Sequence, residues 1–166
     1  MRTIKFRGRF VKAKNALYPE ENKWVYGSLV IDRDNSYWIK TDKSSYCVNP
    51  ETVGEFTGLK DKNRKEIYEG DVVNFAQKKT FCKGEKCHES LELGTSKYCP
   101  KCGKPTTRED YTRIAEIVFK QGSFCFHYEI SNWATYVAEM YIEWIEIIGN
   151  IHENPELLEA EAEEKA

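Results

Sequence analysis

Four cysteines fall within 21 residues of this 166-residue chain: Cys82, Cys87, Cys99 and Cys102, spaced C-x4-C-x11-C-x2-C. The second pair stands in Cys99-Pro100-Lys101-Cys102-Gly103, the form that a metal-binding knuckle takes. A short gap lets a tight turn aim both sulfurs at one ion, and four thiolates fill the tetrahedral shell of Zn2+. A filled shell has no open position for water or substrate, so zinc held this way builds structure and does not hydrolyse. The spacing therefore predicts a structural zinc on Cys82, Cys87, Cys99 and Cys102, with iron, a redox pair or free thiols as alternatives. His88 could stand in for Cys87, although a pair of two-cysteine knuckles needs no such help. Cys47 and Cys125 lack a partner at knuckle spacing and read as small core residues.

Catalysis has less to stand on. The three histidines, His88, His127 and His152, lie in different segments. The chain has no Gly-rich phosphate loop, His-Glu-x-x-His run or Gly-x-Ser-x-Gly elbow. Asp61, Glu66, Glu69 and Asp71 could supply paired catalytic carboxylates, but a solvated turn followed by a strand entry explains them more simply. Cys125 and His127 alternate onto one strand face, where a nucleophile and a base could meet. A core cysteine beside a surface histidine is the plainer account. No catalytic residue and no small-molecule substrate are expected.

Charge is unevenly spread. Residues 1–14 carry Arg2, Lys5, Arg7, Arg9, Lys12 and Lys14 without an acid, whereas residues 153–166 carry six glutamates against Lys165 alone. The cysteine segment is lysine-rich as well, from Lys78 and Lys79 to Lys101 and Lys104. On a first strand Lys5, Arg7 and Arg9 would share one face about 7 Å apart, near the spacing of phosphates along an extended strand. Such a face, with aromatic side chains to stack on bases, would suit a nucleic acid. The competing reading is a protein partner, with the knuckle forming part of an assembly surface. The plainest reading is that the basic end pairs with the acidic tail. A formal net charge of −2 selects neither nucleic acid nor membrane.

No apolar run approaches the roughly 18 residues that span a bilayer. The start, Met1 to Arg7, lacks the apolar stretch of a secretion signal. A cytoplasmic protein with no membrane partner is expected, and in that reducing compartment clustered cysteines read as ligands before disulfides. The 13% share of aromatic residues argues for a folded chain rich in strands.

The elements that must position these residues are mostly strands. Ile4, Phe6 and Phe10 point one way from the first strand, and Lys5, Arg7 and Arg9 point the other. A strong strand runs from Trp24 to Ile31, Asp32 to Ser36 turns, and Tyr37-Trp38-Ile39 begins a hairpin partner. Asn49 to Gly54 and Asp61 to Arg64 are further punctuation, and Gly70 to Phe75 enters a second unit. Tyr111 to Lys120 and Ser123 to Ile130 form a hairpin about Gln121-Gly122. Residues 132–148 fit helix or strand, and the alternation from Glu143 to Ile148 favours strand. Asn154-Pro155 opens a short C-terminal helix with Asn as its cap and Pro at the first helical position. The cysteine segment, residues 78–108, reads as an insert between two strands of a small barrel. With few apolar side chains of its own it depends on metal to fold. The expected class is mainly β, a β-rich α+β chain, with a hairpin or meander unit over residues 1–57 and the barrel with its insert over residues 58–166.

Gly58-Leu59-Lys60-Asp61-Lys62-Asn63 and Lys65-Glu66-Ile67-Tyr68-Glu69-Gly70-Asp71-Val72-Val73 resemble the signature of YopX-type prophage proteins. Ile4 to Arg7, Pro50 to Gly54 and Ile147 to Leu158 agree with it, so the resemblance reaches both ends and the middle of the chain. It implies a bacteriophage or prophage origin, a β-rich N-terminal part and an SH3-like barrel after it, and it brings no activity. Two departures stand out. Arg64 occupies a turn position where the family usually has Gly, which predicts a side chain at positive φ. The four-cysteine insert lies outside the common pattern, so the zinc assignment rests on spacing alone.

Overall fold

A computed structural model describes residues 3–11, 23–82, 90–91, 98–99, 102–128, 131–136 and 144–163. The chain is mainly β, with two antiparallel sheets and one short helix. The first sheet contains β1 (Phe6–Arg9), β2 (Trp24–Ile31), β3 (Tyr37–Lys40), β4 (Ser45–Val48), β5 (Gly54–Lys60) and β6 (Glu66–Tyr68), in the order β4-β3-β2-β1-β5-β6. Its β4 end curls back onto β1. Phe10 bridges Val48, Val11 N–H donates to the Cys47 carbonyl, and Asn49 N–H donates to the Arg9 carbonyl at 2.9 Å. Strands β1 to β4 thus wrap around Phe10, Ile39 and Val48, all buried. The meander expected at the N-terminus is closed on itself.

The second sheet contains β7 (Asp71–Cys82), β8 (Ser90–Leu91), β9 (Thr106–Lys120), β10 (Ser123–Tyr128), β11 (Ser131–Tyr136) and β12 (Ile145–Asn150). Its order is β11-β10-β9-β7-β12, and β8 adds to β7 alone. The SH3-like barrel expected after residue 58 corresponds here to this sheet, and among the described residues no pairing joins β11 to β12. Helix α1 (Glu156–Glu163) follows Asn154-Pro155 and lies against β9.

A further core joins the two sheets. Val73, Phe75, Ala115, Ile117, Phe124, Phe126 and Ile145 from the second sheet bury Ile67 of β6, with Leu59 of β5 and Ile147 packed alongside. The two-residue alternation of β9 and β10 puts these side chains on one face. Backbone bonds carry the join further, from Gly70 N–H to the Ile117 carbonyl and from Ile151 N–H to the Gly70 carbonyl. Gly54 shows how close the strands come: a Cβ there would lie 2.4 Å from the Glu69 carbonyl oxygen, so only glycine fits.

Candidate metal centre and the basic strand

Strands β7 and β9 are much longer than the sheet that they cross. Their register runs from Val72↔Glu116 without a break to Cys82↔Thr106, so the far half projects beyond β10 and β12 as a ribbon, joined among the described residues by β8 at Thr80 and Phe81. Asn74↔Ile114 and Phe75↔Arg113 pair within the sheet, which brings Phe75 and Ile114 together across the sequence gap as an inserted segment requires. At the ribbon's end the chain turns through the second cysteine pair. Tyr98 bridges Pro105, Cys99 N–H donates to the Lys104 carbonyl at 2.8 Å, and Gly103 N–H donates to the Cys99 carbonyl at 2.8 Å. Gly103 has φ 67°, with open space where a Cβ would sit, so the turn selects glycine for its backbone angle.

This turn carries Cys99 and Cys102 to Cys82, the last residue of β7. The three sulfurs lie within 4.8 Å of one another, and those of Cys82 and Cys102 are 3.2 Å apart. Cys99 is buried, Cys82 half-buried and Cys102 exposed. Three soft thiol donors converging from two separately anchored backbones suit a thiophilic cation such as zinc. The structure thus brings together three of the four expected ligands. Cys87 and His88 lie outside the described residues. Cys125 is buried, as expected of a core residue, and Cys47 is half-buried.

The basic strand is placed differently from its expectation. Arg7 is buried, and its Nη1 donates to Asp71 Oδ1 at 2.5 Å while its Nη2 donates to the Glu69 carbonyl at 3.0 Å. The guanidinium also stacks over Trp24 at 4.7 Å and Tyr68 at 5.3 Å. Lys5 Nζ donates to Glu66 Oε2 at 2.6 Å beside the rings of Tyr26 and Tyr68. Arg9 is half-buried, and its backbone N–H donates to Thr52 Oγ1. Lys5, Arg7 and Arg9 do share a strand face, but on it Lys5 and Arg7 pair with carboxylates and lie against aromatic rings. Ile4, on the opposite side of the alternation, is 68% exposed. Alternation correctly placed these residues on faces; which face would be covered depended on the second sheet.

Every carboxylate of the acidic cluster has a structural partner. Asp61 Oδ1 accepts the Asn63 and Lys65 N–H groups, and its Oδ2 accepts Ile147 N–H from β12. Glu66 accepts from Lys5 and from the Tyr68 hydroxyl, Glu69 from Phe119 N–H, and Asp71 from Arg7 and Tyr68 N–H. Burial pushes the Asp71 carboxyl above the usual carboxylate range against the pull of Arg7. The hydrogen bond from Lys5 holds Glu66 below that range. Arg64 adopts φ 67°, so the turn accepts a side chain at the positive-φ position.

The C-terminal turn completes the joint. Glu153 accepts from Trp24 Nε1 at 3.0 Å and from Asn150 Nδ2, and His152 lies 5.9 Å from the Trp24 ring. Burial, with Arg7 and Arg9 nearby, lowers the His152 pKa below its ordinary 6.5. The motif stretches at residues 4–7, 50–54, 58–73 and 147–158 therefore meet in one place, where the two sheets join.

A family model described as YopX protein matches residues 5–159. The chain belongs to the YopX family. The stretches that resemble the family's signature are those that meet at the joint. Among solved structures, the YopX chain is similar to the crystal structure of protein EF1440 from Enterococcus faecalis, at 23% identity and a TM-score of 0.44. That likeness covers 95% of this chain and 99% of the other. No curated protein matches the chain. None of its described helices is long and apolar enough to cross a membrane.

Proposed function

We propose that this chain is a non-catalytic binding module, cytoplasmic and of prophage origin, whose β7–β9 ribbon is pinned at its tip by zinc and recognises a protein. The observation that carries the reading is the convergence of the Cys82, Cys99 and Cys102 sulfurs at the ribbon's end. Cys87 is the natural fourth ligand by its spacing. Zinc would supply local order only, since four thiolates leave no site for substrate. A protein partner fits better than a nucleic acid for two reasons. Lys5 and Arg7 are already paired with Glu66 and Asp71. Along the ribbon, the strand register sets an acidic position opposite each of two lysine positions, Asp110 opposite Lys78 and Glu109 opposite Lys79.

Elemental analysis tests the first half, with about one zinc per chain expected for a closed four-thiolate shell. A cobalt-exchanged protein should show the sulfur-to-metal charge-transfer bands of thiolate ligation. The second half is tested by a gel shift with random-sequence oligonucleotide at about 50 mM salt, where phosphate contacts are strongest. Absence of a shift is the expected outcome. A shift abolished by charge reversal on the ribbon, and unchanged by reversal at Lys5, would replace the protein partner with nucleic acid.

A further inference from the structure

The Cys82 and Cys102 sulfurs are 3.2 Å apart, in direct contact with each other. They also differ in access. Cys102 is exposed in the knuckle turn, Cys82 is half-buried at the end of β7, and Cys99 is 2% exposed. Each backbone is fixed independently, Cys82 by its pairing with Thr106 and the turn by its bonds between Cys99, Gly103 and Lys104. A bond between these sulfurs would close the ribbon's end at the place where the metal closes it.

We propose that Cys82 and Cys102 form a thiol-oxidation site, at which a peroxide joins the two sulfurs in a disulfide and displaces the metal. The Cys102 thiolate attacks a peroxide oxygen, the O–O bond breaks, and hydroxide leaves behind a sulfenic acid. The Cys82 thiolate then attacks that sulfur, forming the S–S bond and expelling the second oxygen as hydroxide. Two protons complete two waters, so each sulfur loses one electron and the peroxide gains two. Metal release follows from the loss of two ligands, and this part rests on the zinc reading above. The buried Cys99 remains a thiol, and the ribbon exchanges a metal clasp for a covalent one that a thiol reductant reopens.

The test treats the purified full chain with one equivalent of hydrogen peroxide, alkylates free thiols and maps the peptides. Zinc is followed in parallel with a chromogenic chelator. The expected result is a Cys82–Cys102 disulfide, alkylated Cys99 and Cys125, and near-stoichiometric zinc release reversed by dithiothreitol with added zinc. A disulfide joining Cys99 to Cys102, or free Cys82 and Cys102 after peroxide, overturns the proposal. The two readings separate cleanly. A chain that purifies without metal yet forms the Cys82–Cys102 bond sinks the zinc reading and upholds the oxidation site. A zinc-loaded chain that resists peroxide does the reverse.

Discussion

The joint between the two sheets and the tip of the β7–β9 ribbon both gather residues from distant parts of the chain, but they are held by different means. At the joint, Tyr68 and Asp71 are at most 2% exposed, Arg7 is 6% exposed, and hydrogen bonds tie Arg7 of β1 to Asp71 and to the Glu69 carbonyl, far along the chain. There the driving force is burial, and the hydrogen bonds keep that burial from costing more than it yields. At the tip, the described residues include one buried side chain, Cys99, flanked by exposed Tyr98 and Cys102. On the zinc reading proposed above, a segment with so little apolar surface would draw its order from thiolate ligation. The lesson is that damage at the joint spreads through the molecule, and damage at the tip stays local.

The largest effect should come from Asp71→Ala, which strands a buried arginine cation. About 3–5 kcal/mol is expected for breaking such a pair, read as a large drop in melting temperature by calorimetry. A loss as small as that of an exposed ion pair would dissolve the contrast. Gly54→Ala should cost about 1–3 kcal/mol by forcing β5 away from the Glu69 carbonyl. Urea unfolding would register it, and an unchanged midpoint would show that the strands yield freely.

The tip should respond on a different scale. Cys99→Ser, or a chelator added to wild type, is expected to release zinc and abolish amide protection in residues 78–108. The melting temperature of the sheets should fall by only a few degrees, corresponding to about 1 kcal/mol. Hydrogen exchange resolved by peptide distinguishes this from global unfolding, which would place the tip in the common core. A subtler effect concerns His152. Its folded pKa lies below 6.5, so the unfolded chain binds the proton more readily, and the contribution of the neutral imidazole is complete above that value. Stability should fall as pH drops through the folded pKa, and His152→Asn should flatten that slope. Glu66 and Glu153, both lowered below 4.5, add their losses only in more acidic solution. Smallest of all is Lys5→Ala, expected within about 1 kcal/mol because the Lys5–Glu66 pair is partly exposed.

Much was readable from local pattern. The strand Trp24–Ile31, the turns at Asp32 to Ser36 and Gln121-Gly122, the strand near Ile145, the helix after Asn154-Pro155 and the positive φ at Arg64 follow from alternation, turn chemistry and capping. These are interactions within a few residues, which a linear chain displays. Strands β4, β5, β6 and β11 are short, or lack clean alternation, and exist because neighbours supply their hydrogen bonds. The cysteine spacing likewise announced its knuckle, because two ligands on one turn are a local matter. Only the fold could bring Cys82 to that turn, through eleven consecutive pairs of β7 with β9 from Val72↔Glu116 to Cys82↔Thr106. Only the fold could turn Lys5 and Arg7 from a basic surface into partners of Glu66 and Asp71. A charge states in sequence what it can pair with, and its partner is chosen by long-range packing, because only the assembled sheets decide which strand face loses contact with water.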